Sequence, residues 1–273
     1  RGGMPMRSHF AFASMFMMGL LVSSGDALSQ DFLSYVDLNS PEMKTAEMTS
    51  AELSTLLKAP AAGKRADLEG KRLSGLDLSG FDLSGVNLRL AKLNRTKLNG
   101  ALLNGAILNQ AWMIDADLSD ADLTKASLLS TQMQRAKLDR ANLSGARITG
   151  DLTGATMVLS RLVGADASAD MRNQSMGLMR GVLKSANLKG ADMRGANLSR
   201  TNLEFANLRN ANLTDCNLER AQLAGADLTG AILTNADFTD ADLTSTLLPD
   251  DAALAEARNL DKALDLDRAR RAP

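Results

Sequence analysis

The feature of this sequence that most restricts its fold is a repeat of five residues. Residues 66–150 divide into seventeen consecutive blocks, and residues 181–250 divide into fourteen more. Leucine occupies the third position in 26 of these 31 blocks, and the other five carry a different large apolar residue there. Alanine occupies the first position in 21 blocks, whereas polar residues and glycine predominate at the remaining positions. The first and third positions of each block are therefore expected to face an interior.

A period of five excludes one continuous helix or strand. In an α-helix, steps of five residues rotate each leucine by about 140° from the last, so the leucines would share no face. In a strand, side chains alternate with a period of two, so successive leucines would point to opposite sides. The leucines share one interior only if the chain runs extended for about three residues and then turns, once per block. Repetition then produces a solenoid whose coils stack through main-chain hydrogen bonds at about 4.8 Å.

The blocks resemble those of the pentapeptide repeat family. Its consensus, A(D/N)LXX, is written out at Ala116-Asp117-Leu118, Ala141-Asn142-Leu143, Ala206-Asn207-Leu208 and Ala226-Asp227-Leu228. The resemblance implies an all-β fold, a right-handed quadrilateral β-helix with four blocks in each coil of about 20 residues. Residues 66–250 would then form roughly nine coils, with stacked leucines filling the axis.

Both ends of such a solenoid expose unpaired strand edges, so short α-helical caps are expected at both. The capping-box pattern at residues 49–52 precedes Leu53 and other leucines and predicts a helix near 50–58, ended by Pro60. Acidic residues after Pro249 and arginines near the end of the chain predict a second helix. Leu254, Ala257 and Leu264 would face the last coil. Either helix could instead serve a partner.

The first thirty residues are predicted to be a targeting segment. Arg7 precedes an apolar run of 13 residues, 10–22, and Ala27-Leu28-Ser29 follows it, which is the arrangement of a cleavable signal peptide. The run is shorter than the about 20 residues that a membrane-spanning helix needs. Cleavage would place the protein in the periplasm without stable membrane insertion, whereas an uncleaved anchor or a buried helix is the alternative.

The repeat pattern is irregular between residues 151 and 180. The next inward residues after Ile148 are expected to be Leu152, Met157, Leu162 and Ala167, which is a slip of one position. A second slip would reach Met171 before Leu183 restores the phase. We expect a distorted but continuing coil, and the alternative is a loop that leaves the solenoid.

These patterns divide the chain into six segments. They are a signal peptide (1–29), an N-terminal segment with a capping helix (30–65), regular repeats (66–150), degenerate repeats or a register slip (151–180), regular repeats (181–250), and a C-terminal capping helix and tail (251–273).

Composition excludes several classes of function. One cysteine, Cys216, and one histidine, His9, supply neither an internal disulfide nor a Cys/His metal site. The formal net charge of -1 gives no general attraction to nucleic acid. Most aspartates of the repeats occupy the outward second position, where no burial would tune a carboxyl pKa for catalysis. We therefore predict a protein that is not an enzyme and has no cofactor, with a carboxylate-only enzyme as a remote alternative.

The outward apolar residues Leu102, Ile107, Trp112 and Ile114 form the predicted partner-contact patch. Trp112 is also expected to lie beside Lys92, within cation-π reach if coils contain about 20 residues. The alternatives are that the N-terminal segment 30–48 packs over this face, or that the face has no role.

The predicted function is an exported, non-enzymatic scaffold or protein-interaction module with an unknown protein partner and no nucleic acid. A homodimer is also compatible with the sequence. The resemblance implies an alternative, since some family members imitate duplex DNA and modulate DNA gyrase. Such mimicry needs a strongly acidic surface, whereas residues 66–150 carry 11 Lys+Arg and 9 Asp+Glu, and residues 181–250 carry 6 and 9.

Overall fold

The computed structural model describes residues 36–58, 66–171 and 179–271. The fold lies within one compact unit, Leu38–Pro273. The predicted signal peptide at residues 1–29 lies outside the described residues. The elements in chain order are helices α1 (Pro41–Lys44) and α2 (Ser50–Lys58), strands β1 (Ser127–Gln132), β2 (Arg147–Asp151) and β3 (Leu247–Leu248), helix α3 (Asp251–Ala255), two 3-10 helices (Leu260–Lys262 and Leu266–Arg268) and strand β4 (Arg270–Arg271).

Coils of four blocks stack in parallel. Strand β1 pairs with β2 and β3 pairs with β4, and elsewhere each block contributes one bridged residue at its second position. Lys97 pairs with Asp77, twenty residues before it, and with Asp117, twenty residues after it. Each second position thus belongs to one of four ladders, which we number by their first members: Asp67 (ladder 1), Arg72 (ladder 2), Asp77 (ladder 3) and Asp82 (ladder 4).

The hydrogen bonds between coils explain why the period is five. In the block 96–100, the Leu98 amide donates to the Asp117 carbonyl of the next coil at 2.6 Å, and the Lys97 amide donates to the Leu76 carbonyl of the previous coil at 2.9 Å. The Ala101 amide then closes the turn by donating to the Leu98 carbonyl at 3.0 Å. Every block therefore uses its extended residues for stacking and its last residues for a turn.

The third-position residues fill the interior. All of them from Leu68 to Leu248 are buried, including the non-leucine residues Met113, Met133, Ile148, Met193 and Phe238. At about 2 kcal/mol per buried large side chain, this stack supplies most of the apolar burial that offsets chain entropy. Where threonine replaces the first-position alanine, its hydroxyl satisfies a main-chain carbonyl, as Thr96 does by donating to Leu73 at 3.1 Å.

Local side-chain bonds explain the consensus at the second and fourth positions. The Asp227 carboxylate accepts hydrogen bonds from the Thr229 amide at 2.9 Å and from the Thr229 hydroxyl at 2.5 Å. Asn212 and Thr214 repeat this arrangement. An Asp or Asn therefore satisfies an amide in the turn that no strand partner reaches.

The fifth position turns the chain in the left-handed region. Gly100 has φ +65°, and residues with side chains adopt the same conformation, as Arg140 does at φ 58°. Such a conformation costs a non-glycine residue roughly 1 kcal/mol. Stacking of the neighbouring coils imposes it on many blocks, because each turn must close at the same place.

The coil register changes twice between residues 147 and 182. Arg147 pairs with Asp166, 19 residues ahead, so the coil there is one residue short. The block 146–149 has only four residues, and Gly150 then occupies the first position of the next block, where an added Cβ would lie 2.5 Å from the Thr131 carbonyl oxygen. Leu152, Met157, Leu162 and Ala167, the residues expected to be inward, are buried.

The second change is an insertion. Asp166 pairs with Asn197, 31 residues ahead, which is eleven more than a full coil needs. The Ala169 amide still donates to the Ser199 carbonyl of the next coil at 3.3 Å, and the Gly181 amide donates to the Ala167 carbonyl at 2.8 Å, so the eleven additional residues lie between Ala169 and Gly181. The expectation that Met171 is inward is wrong, because Met171 is exposed.

The N-terminal segment packs against the first coils. Leu53 of α2 is fully buried in the same core as the repeat leucines, and the Ser50 hydroxyl donates to the Asp77 carbonyl at 2.8 Å. Before α2, Glu47 forms an ion pair with Lys71 at 2.7 Å. The Asn94 side chain, in the block of Lys92, donates from its amide nitrogen to the Met43 carbonyl at 3.2 Å.

The C-terminal segment forms a further coil after the short helix α3. Arg258, Leu264 and Arg270 pair with second positions of the preceding coil. Leu254 is buried, and Ala257 packs partly buried against the core. Leu264 is exposed, which corrects the prediction that it faces the last coil. As the bridged residue of its block, Leu264 occupies the outward second position, not an inward one.

Candidate contact surfaces

The structure separates the four residues of the predicted patch. Leu102 belongs to ladder 4, Ile107 to ladder 1 and Trp112 to ladder 2, because consecutive blocks lie on consecutive ladders. Leu102 and Ile107 are 43% and 38% exposed, whereas Trp112 is half-buried. The expectation that Ile114 faces outward is wrong, since it is only 3% exposed.

The N-terminal segment accounts for part of this burial. The Asn94 side chain donates to the Met43 carbonyl and accepts from the Ile114 amide at 3.0 Å, which links α1 to the block of Trp112. Lys92, the predicted neighbour of Trp112, forms an ion pair with Glu42 of α1 at 3.7 Å. The alternative that residues 30–48 pack over this face therefore agrees with the contacts of the described part of that segment.

Ion pairs link many turns of consecutive coils. Arg135 makes two hydrogen bonds to Asp115, at 2.8 and 2.9 Å, and Arg140 makes two to Asp120, at 2.7 and 2.6 Å. The Arg140 guanidinium lowers the pKa of the Asp120 carboxyl. These pairs are largely exposed and screened by solvent, so they contribute little to stability and mainly specify the register of neighbouring coils.

A polar cavity lies where the insertion leaves the stack. It has a volume of about 440 Å³ and is lined by Arg147, Asp166, Ser168, Ala169, Asp170 and Met171. The Arg147 guanidinium is already engaged, because it pairs with Asp166 and donates to the Ser168 hydroxyl and carbonyl, both at 3.2 Å. The cation that lines this cavity is therefore already paired within the protein.

Three apolar residues that the sequence analysis did not single out stand at turns. Leu90, Leu159 and Phe205 occupy fifth positions, and Leu159 and Phe205 are 59% and 61% exposed. A search of the fifth positions for large apolar residues would have found them, since polar residues and glycine otherwise fill these turns. Lys184 stands over the Phe205 ring, 5.8 Å from its centre, and pairs with Glu204 at 2.8 Å.

Residues 36–58, 66–171 and 179–271 contain no cluster of three or more His, Cys, Asp or Glu side chains that could hold a metal ion. No helix in these ranges is both long enough and apolar enough to cross a membrane. Burial raises the pKa of the Cys216 thiol to about 12, so this thiol is not a nucleophile near neutral pH.

The chain forms a β-helix built from five-residue repeats. Each coil contains four blocks, and each block turns one small and one large side chain inward. The family model for pentapeptide repeats matches eight copies, in residues 72–110, 113–150, 182–215 and 211–248. The chain belongs to the pentapeptide repeat family.

Solved structures of this family are similar to the chain. HetL, involved in heterocyst differentiation regulation in the cyanobacterium Nostoc sp. strain PCC 7120, is 29% identical, with 82% of this chain and 94% of that chain covered and a TM-score of 0.46. QnrB1, a plasmid-mediated fluoroquinolone resistance protein, is 17% identical, with 76% and 92% covered and a TM-score of 0.47. No curated protein sequence matches the chain.

Proposed function

We propose that this protein is an exported, non-enzymatic scaffold that presents side chains to a protein partner. The observation that carries the proposal is the ladder geometry, in which outward residues such as Leu102 and Ile107 stand on main-chain bonds repeated every coil. A surface that is already ordered loses little conformational entropy on binding. The ladder aspartates accept hydrogen bonds from main-chain amides of the turns, as Asp227 does from Thr229. These carboxylates therefore stabilise the fold.

Site-specific cross-linking tests the contact proposal. A photoreactive amino acid at Leu102 or Ile107 should give a discrete cross-linked protein, and the same group at the exposed Asn99 should give much less. Equal products from all three positions would contradict a contact through the predicted apolar residues.

Export is proposed from the sequence of residues 1–29. Expression from the native start in a Gram-negative host should give a periplasmic protein whose intact mass corresponds to cleavage near Ser29. A full-length cytoplasmic product would refute this part and would make a gyrase supercoiling assay the next experiment.

The DNA-mimic alternative has weak electrostatic support. Ladder 3 runs through Asp77, Lys97, Asp117 and Lys137, so its charge alternates from coil to coil. Duplex DNA carries one negative charge per about 1.7 Å without interruption. Charges of alternating sign help to align neighbouring coils, but they do not imitate a polyanion.

We also infer that the coils wind in a right-handed quadrilateral and that the terminal segments cap its ends. Four ladders and the buried Leu53 of α2 support this inference. Deletion of residues 38–58 should expose the first coil and cause aggregation, and a deletion variant that stays soluble with unchanged stability would contradict the capping role.

A further inference from the structure

We propose that the ladder 3 surface of the central coils binds an acidic protein segment that carries apolar side chains. This basic-apolar surface consists of blocks 136–140, 155–159, 186–190 and 206–210, together with Phe205. Lys137, Thr156, Asn187 and Asn207 pair in succession, so these blocks stack on consecutive coils. The inference concerns a different surface from Leu102 and Ile107 and does not depend on export.

Two strongly exposed apolar side chains flank this surface. Phe205 immediately precedes the block of Asn207, at the turn from ladder 2, and Leu159 ends the block of Thr156, at the turn to ladder 4. They are therefore two coils apart, about 10 Å along the stack. Val158 lies half-buried beside Leu159.

Both residues adopt a backbone conformation that is strained for residues with a side chain. Phe205 and Leu159 have φ 56° and 57°, at turns where glycine would be unstrained. Large apolar residues in the left-handed region are uncommon, and backbone strain of this kind concentrates at functional positions. Stacking fixes this conformation at many turns with many residue types, so the fold does not by itself require a large apolar side chain at either position.

A glycine in the next coil makes room for each of these side chains. A Cβ on Gly190 would lie 2.8 Å from Cδ2 of Leu159, and a Cβ on Gly225 would lie 2.6 Å from the Phe205 ring. Both side chains thus lie against the neighbouring coil instead of extending freely. A partner would meet apolar groups that are already positioned, at a low entropic cost.

The charge of the surface selects the partner. The four blocks contain the exposed cations Lys137, Arg140, Lys189 and Arg209 against a single carboxylate, Asp139. Asp139 is turned toward the backbone, where it accepts from the Val158 amide at 2.9 Å. Among the described residues, no carboxylate lies within ion-pair distance of Lys137 or Lys189, whereas Arg140 and Arg209 pair with Asp120 and Asp227.

An acidic segment with apolar residues complements both features. Its carboxylates would pair with Lys137 and Lys189, and its apolar side chains would cover Leu159 and Phe205. A nucleic acid would gain from the cations but little from Leu159 and Val158.

The test uses the full chain and a fluorescent peptide of alternating Glu-Glu and Leu-Leu pairs. In the matching peptides, Lys replaces Glu or Ser replaces Leu. Fluorescence anisotropy should detect binding of the Glu/Leu peptide alone, and binding should be lost in about 1 M salt, where the Debye length is about 3 Å. Leu159→Gly and Phe205→Gly should each weaken binding about tenfold.

Glycine is chosen because it relieves the strained turn, so both variants should keep their unfolding temperature. Leu90→Gly is the matched control, since Leu90 has φ 59° at a turn from ladder 1 and should leave binding unchanged. Lys189→Glu should weaken binding of the Glu/Leu peptide and should increase affinity for the Lys/Leu peptide, which the unmodified chain does not bind.

Several results would overturn the proposal. These are no binding of the Glu/Leu peptide by the unmodified chain, equal binding by the glycine variants, or a preference for the Lys/Leu peptide. Binding of phosphatidylglycerol vesicles that depends on Leu159 and Phe205, without peptide binding, would assign the surface to a membrane instead.

Discussion

Phe205 lies over Gly225 of the next coil, so that a Cβ on Gly225 would be 2.6 Å from ring atom Cδ1. Gly225 has φ +69°, where a side chain is already strained. We expect Gly225→Ala to lower the free energy of unfolding by about 1–3 kcal/mol, because the new methyl group is strained at this φ and also clashes with the Phe205 ring. Chemical denaturation measures the change.

Gly100→Ala is the matched control for this substitution. Gly100 has φ +65° and no atom within 4 Å of an added Cβ, so only the strain of about 1 kcal/mol applies. In a Phe205→Gly background, Gly225→Ala should cost no more than Gly100→Ala. An identical cost with and without the Phe205 ring would show that the contact has no energetic effect.

Leu118→Asp should unfold or aggregate the protein. Leu118 is fully buried between leucines of the neighbouring coils, where a carboxylate has neither a partner nor water. Asn99→Asp adds the same charge at an exposed fourth position and should be nearly neutral. Circular dichroism and size-exclusion chromatography compare the two, and a soluble Leu118→Asp variant with an unchanged spectrum would contradict the inward position of this leucine.

Stability should decline in acid. The pKa of Glu47 is lowered by its hydrogen bond to Lys71, that of Asp77 by the Ser79 hydroxyl, and that of Asp120 by Arg140. A lowered folded-state pKa contributes stability that is fully present above the ordinary carboxyl value, near about 4, and is lost as the pH falls through the lowered value. The denaturation midpoint should therefore fall below about pH 4.

A variant lacking one of these pairs provides the control for the acid effect. Asp120→Asn removes a titrating group, so its midpoint should fall less steeply with decreasing pH. A midpoint that rises on acidification would have the wrong sign for lowered carboxyl pKa values.

Cys216 should resist thiol reagents in the folded protein. Its thiol is buried and donates to the Met193 carbonyl at 2.8 Å, and burial raises its pKa to about 12. At about pH 8 we expect no labelling before denaturation and complete labelling after it. Cys216→Ala restores the most common first-position residue and should leave stability nearly unchanged. Rapid labelling of the native protein would show that the coil opens at this position.

The interior could be predicted well from the sequence because its determinants are local and repeated. A large residue at each third position and a small one at each first position can be buried together only by one turn per block. The same reasoning covers the shortened coil, since the spacing from Ile148 to Leu152 is visible in the sequence. It does not cover Met171, because an apolar residue in an insertion has the same spacing as one in a distorted coil.

The outward surface was harder to predict because it depends on neighbours that are distant in sequence. Ile114 resembles an exposed fourth-position residue, yet it is buried, and its amide donates to Asn94 of the previous coil, which in turn donates to Met43 of α1. Leu102, Ile107 and Trp112 are near one another in sequence, but four blocks per coil place them on three ladders.

The sequence by itself determined the period, the inward positions and the membership of the pentapeptide repeat family. The reason is that each block carries its own apolar residues for burial and its own polar or glycine residues for a turn. The tertiary structure decided which outward residues share a surface, since that depends on the number of blocks per coil and on the two changes of register. Leu159 and Phe205 flank one surface although 46 residues separate them. Their arrangement follows from stacking, in which residues of different coils become neighbours through main-chain hydrogen bonds.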